Sequence, residues 1–200
     1  MILASTSPRR QQLLREAGLD FRVVAPSFDE GALKQAGLPP AELTQRLSQG
    51  KARSVAAQAH PHEVIVASDT VVVLDGEVLG KPRDAGEARR MLTRLSGREH
   101  EVLSAVCLLL RDTDERTFCE RTAVSFYDLA DEEIDAYVAS GEPMDKAGAY
   151  GIQGAGRLFV RRIEGDFYTV VGLPIARLVR ELRAMGALET PGATTAAATA

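Results

Sequence analysis

Glu63-Val-Ile-Val-Ala-Ser-Asp-Thr-Val-Val-Val-Leu-Asp-Gly-Glu-Val-Leu-Gly-Lys-Pro82 is the stretch from which the fold is read. Glu63 to Ser68 is a compact apolar run of the kind a buried strand shows, and Asp75-Gly76 between Val71–Leu74 and Val78–Leu79 spells a tight hairpin turn. Asp69 interrupts this passage. A carboxylate inside such a run must be paired, bound to a metal, or exposed at a strand end, because an isolated buried charge is costly. It can coordinate a metal or take a proton from water, and an ordinary ion pair with Lys or Arg at a sheet end explains it too. Thr70 is placed to touch the same ligand, although threonine is also common in strands. Gly80-Lys81-Pro82 holds a lysine in a rigid turn just after the hairpin, which suits a point contact to phosphate as well as plain exposure to water.

Upstream, Met1 to Arg10 predicts a short strand, a hydroxyl-rich turn and a helix start. Ser7 can cap that helix and Pro8 suits its first position, which leaves Arg9 and Arg10 in the first turn. Cations there oppose the helix dipole unless an anion arrives, so the segment reads as a phosphate site or as a salt-bridged surface turn. The helix presents Leu13, Leu14 and Ala17 on one face and stops at Gly18. Phe21 to Ala25 is strand-like. Pro39-Pro40 opens a second helix with Leu43, Leu47 and Val55 on its buried stripe; Gly50 weakens it locally, and Lys51 lies near the rim of the stripe.

Downstream, Asp84 and Glu87 mark a capped helix through Leu95 that ends at Gly97. Long strands follow at Glu101–Leu110 and Phe118–Phe126, and a helix runs from Asp131 to near Gly141. A Gly-rich loop, a strand around Leu158–Ile163, a second loop over Glu164–Pro174 and a helix from Pro174 to Met185 complete the pattern. The mixture predicts an α/β fold with a twisted mixed sheet flanked by helices. Residues 1–188 are expected to form a single domain, and the low-complexity stretch from Glu189 to Ala200 a disordered tail.

At 45% apolar residues, 200 residues can bury a substantial core. With 24 basic and 28 acidic residues the net charge is −4, which argues against a nucleic-acid binder but leaves room for a small anionic ligand held by a few local cations. Cys107 and Cys119 lack a zinc-spaced partner set and read as reduced core thiols. No run approaches the roughly 18 apolar residues of a membrane span, and no secretory signal is evident, so a cytoplasmic location is expected.

Other residues add to the polar inventory. The stem of Lys51 can pack while its ammonium reaches into a cleft. Asp29-Glu30 can supply two oxygen ligands for Mg²⁺ or Mn²⁺ against phosphates, or stay solvated. In the loop Ser140–Gly154, Lys146 can meet a phosphate and Gln153 can offer donor and acceptor to a nucleobase edge, while small residues admit close approach. His100, with no second His nearby, reads as structural. Phe167 and Tyr168 are expected to pack near the loop or in the core.

Taken in order, Ser5-Thr-Ser-Pro-Arg-Arg10, Asp29-Glu30, Lys51-Ala52, Ser68-Asp-Thr-Val-Val72, Gly80-Lys-Pro82, Ser96-Gly97 with His100, the Gly-rich loop and Gly165-Asp-Phe-Tyr-Thr-Val-Val-Gly-Leu-Pro174 resemble the Maf-type nucleoside-triphosphate pyrophosphatases. The resemblance spans nearly everything except the tail. It implies hydrolysis of a nucleoside triphosphate to monophosphate and pyrophosphate with a divalent cation, Mg²⁺ or Mn²⁺, in a central cleft between two lobes. On that resemblance Asp69 is the proton acceptor, Glu30, Lys51 and Lys81 are cleft residues, and Arg9, Thr70 and Gln153 bear on substrate choice. Ser7, Arg10 and Lys146 complete the substrate-binding set, with Glu30 and Asp69 as metal ligands. The late motifs look like the dTTP/UTP branch. The sister branch acting on 7-methyl-GTP has an extra aromatic residue before the paired arginines, and none stands there here. A 7-methyl-GTP enzyme and a nucleotide-binding regulator of division remain the rival readings, and a homodimer is compatible with the resemblance.

Overall fold

The computed structural model describes residues 1–110 and 114–189. Its strands are β1 (Ile2–Leu3), β2 (Arg22–Val23), β3 (Val64–Leu74), β4 (Glu77–Leu79), β5 (Glu99–Leu110), β6 (Asp114–Phe126) and β7 (Val160–Glu164). The helices are α1 (Pro8–Glu16), α2 (Gly31–Gln35), α3 (Pro40–Ser54), α4 (Ala85–Leu95), α5 (Asp131–Ala139), α6 (Phe167–Val171) and α7 (Ile175–Ala184). The low-complexity tail expected from Glu189 onward lies outside the described residues from Thr190.

One mixed sheet holds the molecule together. Its order is β2-β1-β3-β5-β6-β7, with β4 added to β3. β1 runs parallel to both neighbours, and every other pairing is antiparallel. The apolar run and the first arm of the expected hairpin are one strand, because β3 passes through Asp69 without interruption. It can do so because only one face of β3 meets the polar group, while its backbone stays in register with β5, Asp69 opposite Ala105 and Thr70 opposite Ser104.

The other edge of β3 is what makes a site. β1 pairs with its first half, Leu3 opposite Val66, and β4 with its last residues, Leu79 opposite Val72. The two partners approach from opposite ends and leave the sheet on either side of Asp69. The turn after β1 carries Ser5 to Arg10, and the turn after β4 carries Gly80 and Lys81. A crevice where strands diverge is where open α/β sheets bind ligands.

Alternation of side chains assigns the faces. Ile65, Ala67, Cys107 and Leu109 pack with Ala52 and Val55 of the α3 segment. On the opposite face, Val64, Val66, Val106 and Leu108 pack under α1 and α7, while Val72, Leu74 and Val102 pack under α4 and α5. Between those two cores the sheet presents hydroxyls, from Ser68, Thr70 and Ser104.

Local chemistry accounts for most boundaries. Ser7 caps α1 by accepting from Arg10 N, Pro8 takes the first turn, and Gly18 closes the end at φ 68°. Asp84 caps α4 by accepting from Glu87 N at 2.7 Å. Other expectations needed correction. Ala17 is exposed, not on the buried face. The strand expected over Phe21–Ala25 is two residues long. Helices α2 and α6 occupy stretches that read as loops.

Candidate active site

The crevice beside Asp69 is a cavity of about 610 Å³, and it gathers all ten residues proposed from the sequence: Ser7, Arg9, Arg10, Glu30, Lys51, Asp69, Thr70, Lys81, Lys146 and Gln153. Lys34 and Asp145 join them. The cavity wall therefore carries six cations, Arg9, Arg10, Lys34, Lys51, Lys81 and Lys146, against three carboxylates, Glu30, Asp69 and Asp145. In a chain of net charge −4 that local excess marks a site for a polyanion.

At its centre the Lys51 ammonium bridges two carboxylates. It donates to Asp69 Oδ1 and lies 2.8 Å from Glu30 Oε1, with the Lys51 and Asp69 side chains about one-eighth exposed. The apolar stripe of α3, which buries Leu43, Leu47 and Ala52, lays the stem of Lys51 along the sheet and aims its head at β3. Glu30 immediately precedes α2 and also pairs with Lys34 at 2.5 Å. Burial works against its charged form, but hydrogen bonds from Lys34 and Lys51 outweigh that and hold the carboxyl at about 2.

The flanking groups are tied down more than the sequence suggested. Arg10 is half-buried and donates to Gly172 O at 2.9 Å, Thr70 Oγ1 at 3.0 Å and Ser5 Oγ at 3.3 Å. Burial pulls its pKa down, opposed by the attraction of Asp69 and Glu30. Arg10 is thus part of the wall that holds Gly172 and Thr70, whereas Arg9 reaches across the cavity to Asp145 at 3.5 Å. Lys146 donates to Glu142 O and to Asp145 Oδ1, both at 2.6 Å, and its stem lies against Gly151, where a Cβ would meet Lys146 Cε at 2.6 Å. Lys81 is exposed in its turn, and neither it nor the Gln153 amide has a side-chain partner among the described residues. The turn bearing Lys81 is fastened to the Gly-rich loop by Gly148 N donating to Gly80 O at 3.0 Å.

The loop is stapled from below by Glu142. Its carboxylate accepts from Tyr137 Oη and Ala155 N, each at 2.9 Å, so the segment carrying Gln153 has a fixed base. Lys34, Asp145 and Glu142 were missed from sequence; only Lys34, four residues after Glu30, left a legible signal, the spacing of a helical ion pair.

His100 is structural. It is 2% exposed, its Nε2 is 2.8 Å from Tyr150 Oη, and burial pushes it down to about 4. Cys107 is buried, Cys119 partly so, and burial raises both thiols to about 11. Phe167 and Tyr168 are not core residues: each is 41% exposed, on α6.

A model of the Maf family, described as Maf-like protein, matches residues 1–185. This chain belongs to the Maf family. A dTTP/UTP pyrophosphatase of Carboxydothermus hydrogenoformans is 54% identical to this Maf chain over 185 residues, 92% of this chain and 97% of that protein. Proteins of the same description from Symbiobacterium thermophilum and Bacillus cytotoxicus are 51% and 50% identical, covering 93% and 91% of this chain and 94% and 93% of theirs. Among solved structures, a Ham1 protein of Staphylococcus aureus aligns with 90% of this chain and 98% of its own at 15% identity, with a TM-score of 0.49.

Carboxylates alone do not form a metal cage here. Among the described residues no group of three or more His, Cys, Asp or Glu converges. Glu30 and Asp69 do face one another across a single ammonium, and one or two carboxylates completed by phosphate oxygens is the donor set Mg²⁺ ordinarily takes. The residues fit a cation that arrives with a nucleotide. Among the described residues no helix is long and apolar enough to cross a membrane.

Proposed function

We infer that this chain is a dTTP/UTP pyrophosphatase, releasing the nucleoside monophosphate and pyrophosphate. One observation carries the inference: in a chain about half identical to dTTP/UTP pyrophosphatases over more than 90% of its length, six cations surround a Lys51-bridged pair of carboxylates in one cavity.

The chemistry follows from charge. Arg9, Lys51 and Lys81 neutralise the triphosphate, and Asp69 takes the proton of the water that attacks the α-phosphorus, with pyrophosphate as the leaving group. Lys51 pairs with Asp69 and aims it until the phosphates compete for its ammonium. Glu30 and Asp69 would hold Mg²⁺ or Mn²⁺, which when bound supplies further neutralisation of the phosphate oxygens. Gln153, with donor and acceptor unspent, reads the base, and Thr70 and Lys146 complete the binding wall. A single catalytic domain over residues 1–188 does this work in the cytoplasm, its two lobes meeting at the cavity. The ten residues named above line one cavity of a single chain, and a homodimer is compatible with that site.

Product analysis with dTTP, UTP, CTP, 7-methyl-GTP and the purine triphosphates, with and without Mg²⁺ or Mn²⁺, tests this. Metal-dependent pyrophosphate release chiefly from dTTP and UTP is expected. Preference for 7-methyl-GTP, or tight binding without turnover, would overturn it.

A further inference from the structure

The hydroxyls between the two cores have a settled direction. Ser104 Oγ lies 2.7 Å from Thr169 O, a carbonyl that can only accept, so the one proton of Ser104 points there. Ser104 is also 2.8 Å from Thr70 Oγ1. With its proton spent, Ser104 accepts from Thr70. The alternative acceptor for Thr70, Gly172 O, is farther at 3.4 Å and already receives Arg10 Nε at 2.9 Å and Ser68 Oγ at 3.1 Å. Arg10 Nη2, at 3.0 Å, takes one lone pair of Thr70 Oγ1.

A hydroxyl offers one donor and two acceptor sites. Thr70 has one lone pair left, and it lines the cavity. We infer that Ser104 is a positioning residue that makes Thr70 an acceptor-only contact, so that the nucleotide group Thr70 recognises is an N–H or O–H donor. This rests on the pyrimidine nucleotide being the substrate. In thymidine triphosphate two donors qualify, the imide N3–H, which cytosine lacks, and the sugar 3′-hydroxyl. Ser104 is fully buried and meets the cavity through Thr70, while its other bond, to Thr169 O, holds α6, so the Thr70 variants are read beside it.

The experiment compares dTTP, N3-methyl-dTTP and 2′,3′-dideoxythymidine triphosphate on the wild type and on Thr70→Val, Thr70→Ser and Ser104→Ala. Both kcat/KM and calorimetric Kd are read. One analogue is expected to be about tenfold poorer than dTTP on the wild type, the size of one lost hydrogen bond. The methylated analogue failing identifies the base, and the dideoxy analogue failing identifies the sugar. Thr70→Val should lose the same factor on dTTP and nothing more on that analogue, Thr70→Ser should keep the discrimination, and Ser104→Ala should lose most of it. A penalty from the bulk of the methyl group would persist in Thr70→Val, and that outcome overturns the assignment. So does a wild type that treats all three alike, or a Ser104→Ala enzyme that discriminates as well as the wild type. Ser104→Cys, similar in size and a weak hydrogen bonder, replaces the alanine variant should that fail to fold. Absent turnover by folded wild type overturns the function instead, and the Kd comparison still decides the role of Thr70.

Discussion

Gly50 on α3 lies directly under the ring of Phe28: a Cβ on residue 50 would come within 2.4 Å of Phe28 Cζ and 2.6 Å of both Cε atoms. The ring's place against the helix sets the chain two residues before Glu30 and one residue before Lys51. Gly50 therefore costs helix propensity, about 1 kcal/mol relative to Ala, and in exchange lets the Glu30 segment dock.

Gly50→Ala should accordingly harm activity more than stability. The gain in propensity offsets much of the displacement of a half-buried ring, so Tm is expected to move by only a few degrees. Moving Phe28 shifts Glu30 from Lys51, and kcat/KM should fall about tenfold, the scale of one misplaced polar contact. Phe28→Ala made in the Gly50→Ala background should cost nothing further; additive losses would show that the two positions act independently.

Asp69→Asn should reduce kcat by about 10²–10⁴-fold, the range for loss of a general base, while leaving the fold intact. Lys51 would still hold Glu30, so no unpaired buried ammonium results. Circular dichroism and steady-state turnover check both halves, and near-normal turnover would remove Asp69 from the role.

Acid should weaken the fold through His100. Its imidazole is held neutral, pushed by burial from 6.5 to about 4. Between those values the unfolded chain binds a proton that the folded chain does not, so stability rises with pH there and falls on acidification. From pH 7.5 to 5 the expected loss is about 2 kcal/mol. His100→Gln should abolish that component, seen as a flatter Tm against pH. A slope identical to the wild type would place the acid sensitivity elsewhere.

Gln153→Ala should blur base preference more than it slows the best substrate, because its amide is unspent inside the protein. The ratio of kcat/KM for UTP and CTP is the readout. Equal loss on every nucleotide would make Gln153 a structural residue.

What could be read from the sequence was what is locally encoded. The Ser7-Pro8 start of α1, the Asp75-Gly76 turn and the Asp84 cap each depend on a few neighbouring residues, and each stands in the structure. Asp69 was legible because a carboxylate in an apolar strand demands an explanation. Helix α6 was not, since Phe-Tyr-Thr-Val-Val has poor helix propensity; its hold comes from Asp166 accepting from Thr169 N at 2.7 Å and from Ser104 donating to Thr169 O. Likewise, no local signal says that the wall groups Arg10 and Thr70 bond one another, 60 residues apart. At Gly50 only the local cost was legible, because its benefit, the Phe28 ring, is tertiary.

Hydrolysis of UTP in ¹⁸O-labelled water, with the products separated and weighed by mass spectrometry, tests the central claim most directly. Attack on the α-phosphorus beside Asp69 puts the label in UMP and leaves pyrophosphate unlabelled. Label in pyrophosphate, or release of UDP and phosphate, would contradict it.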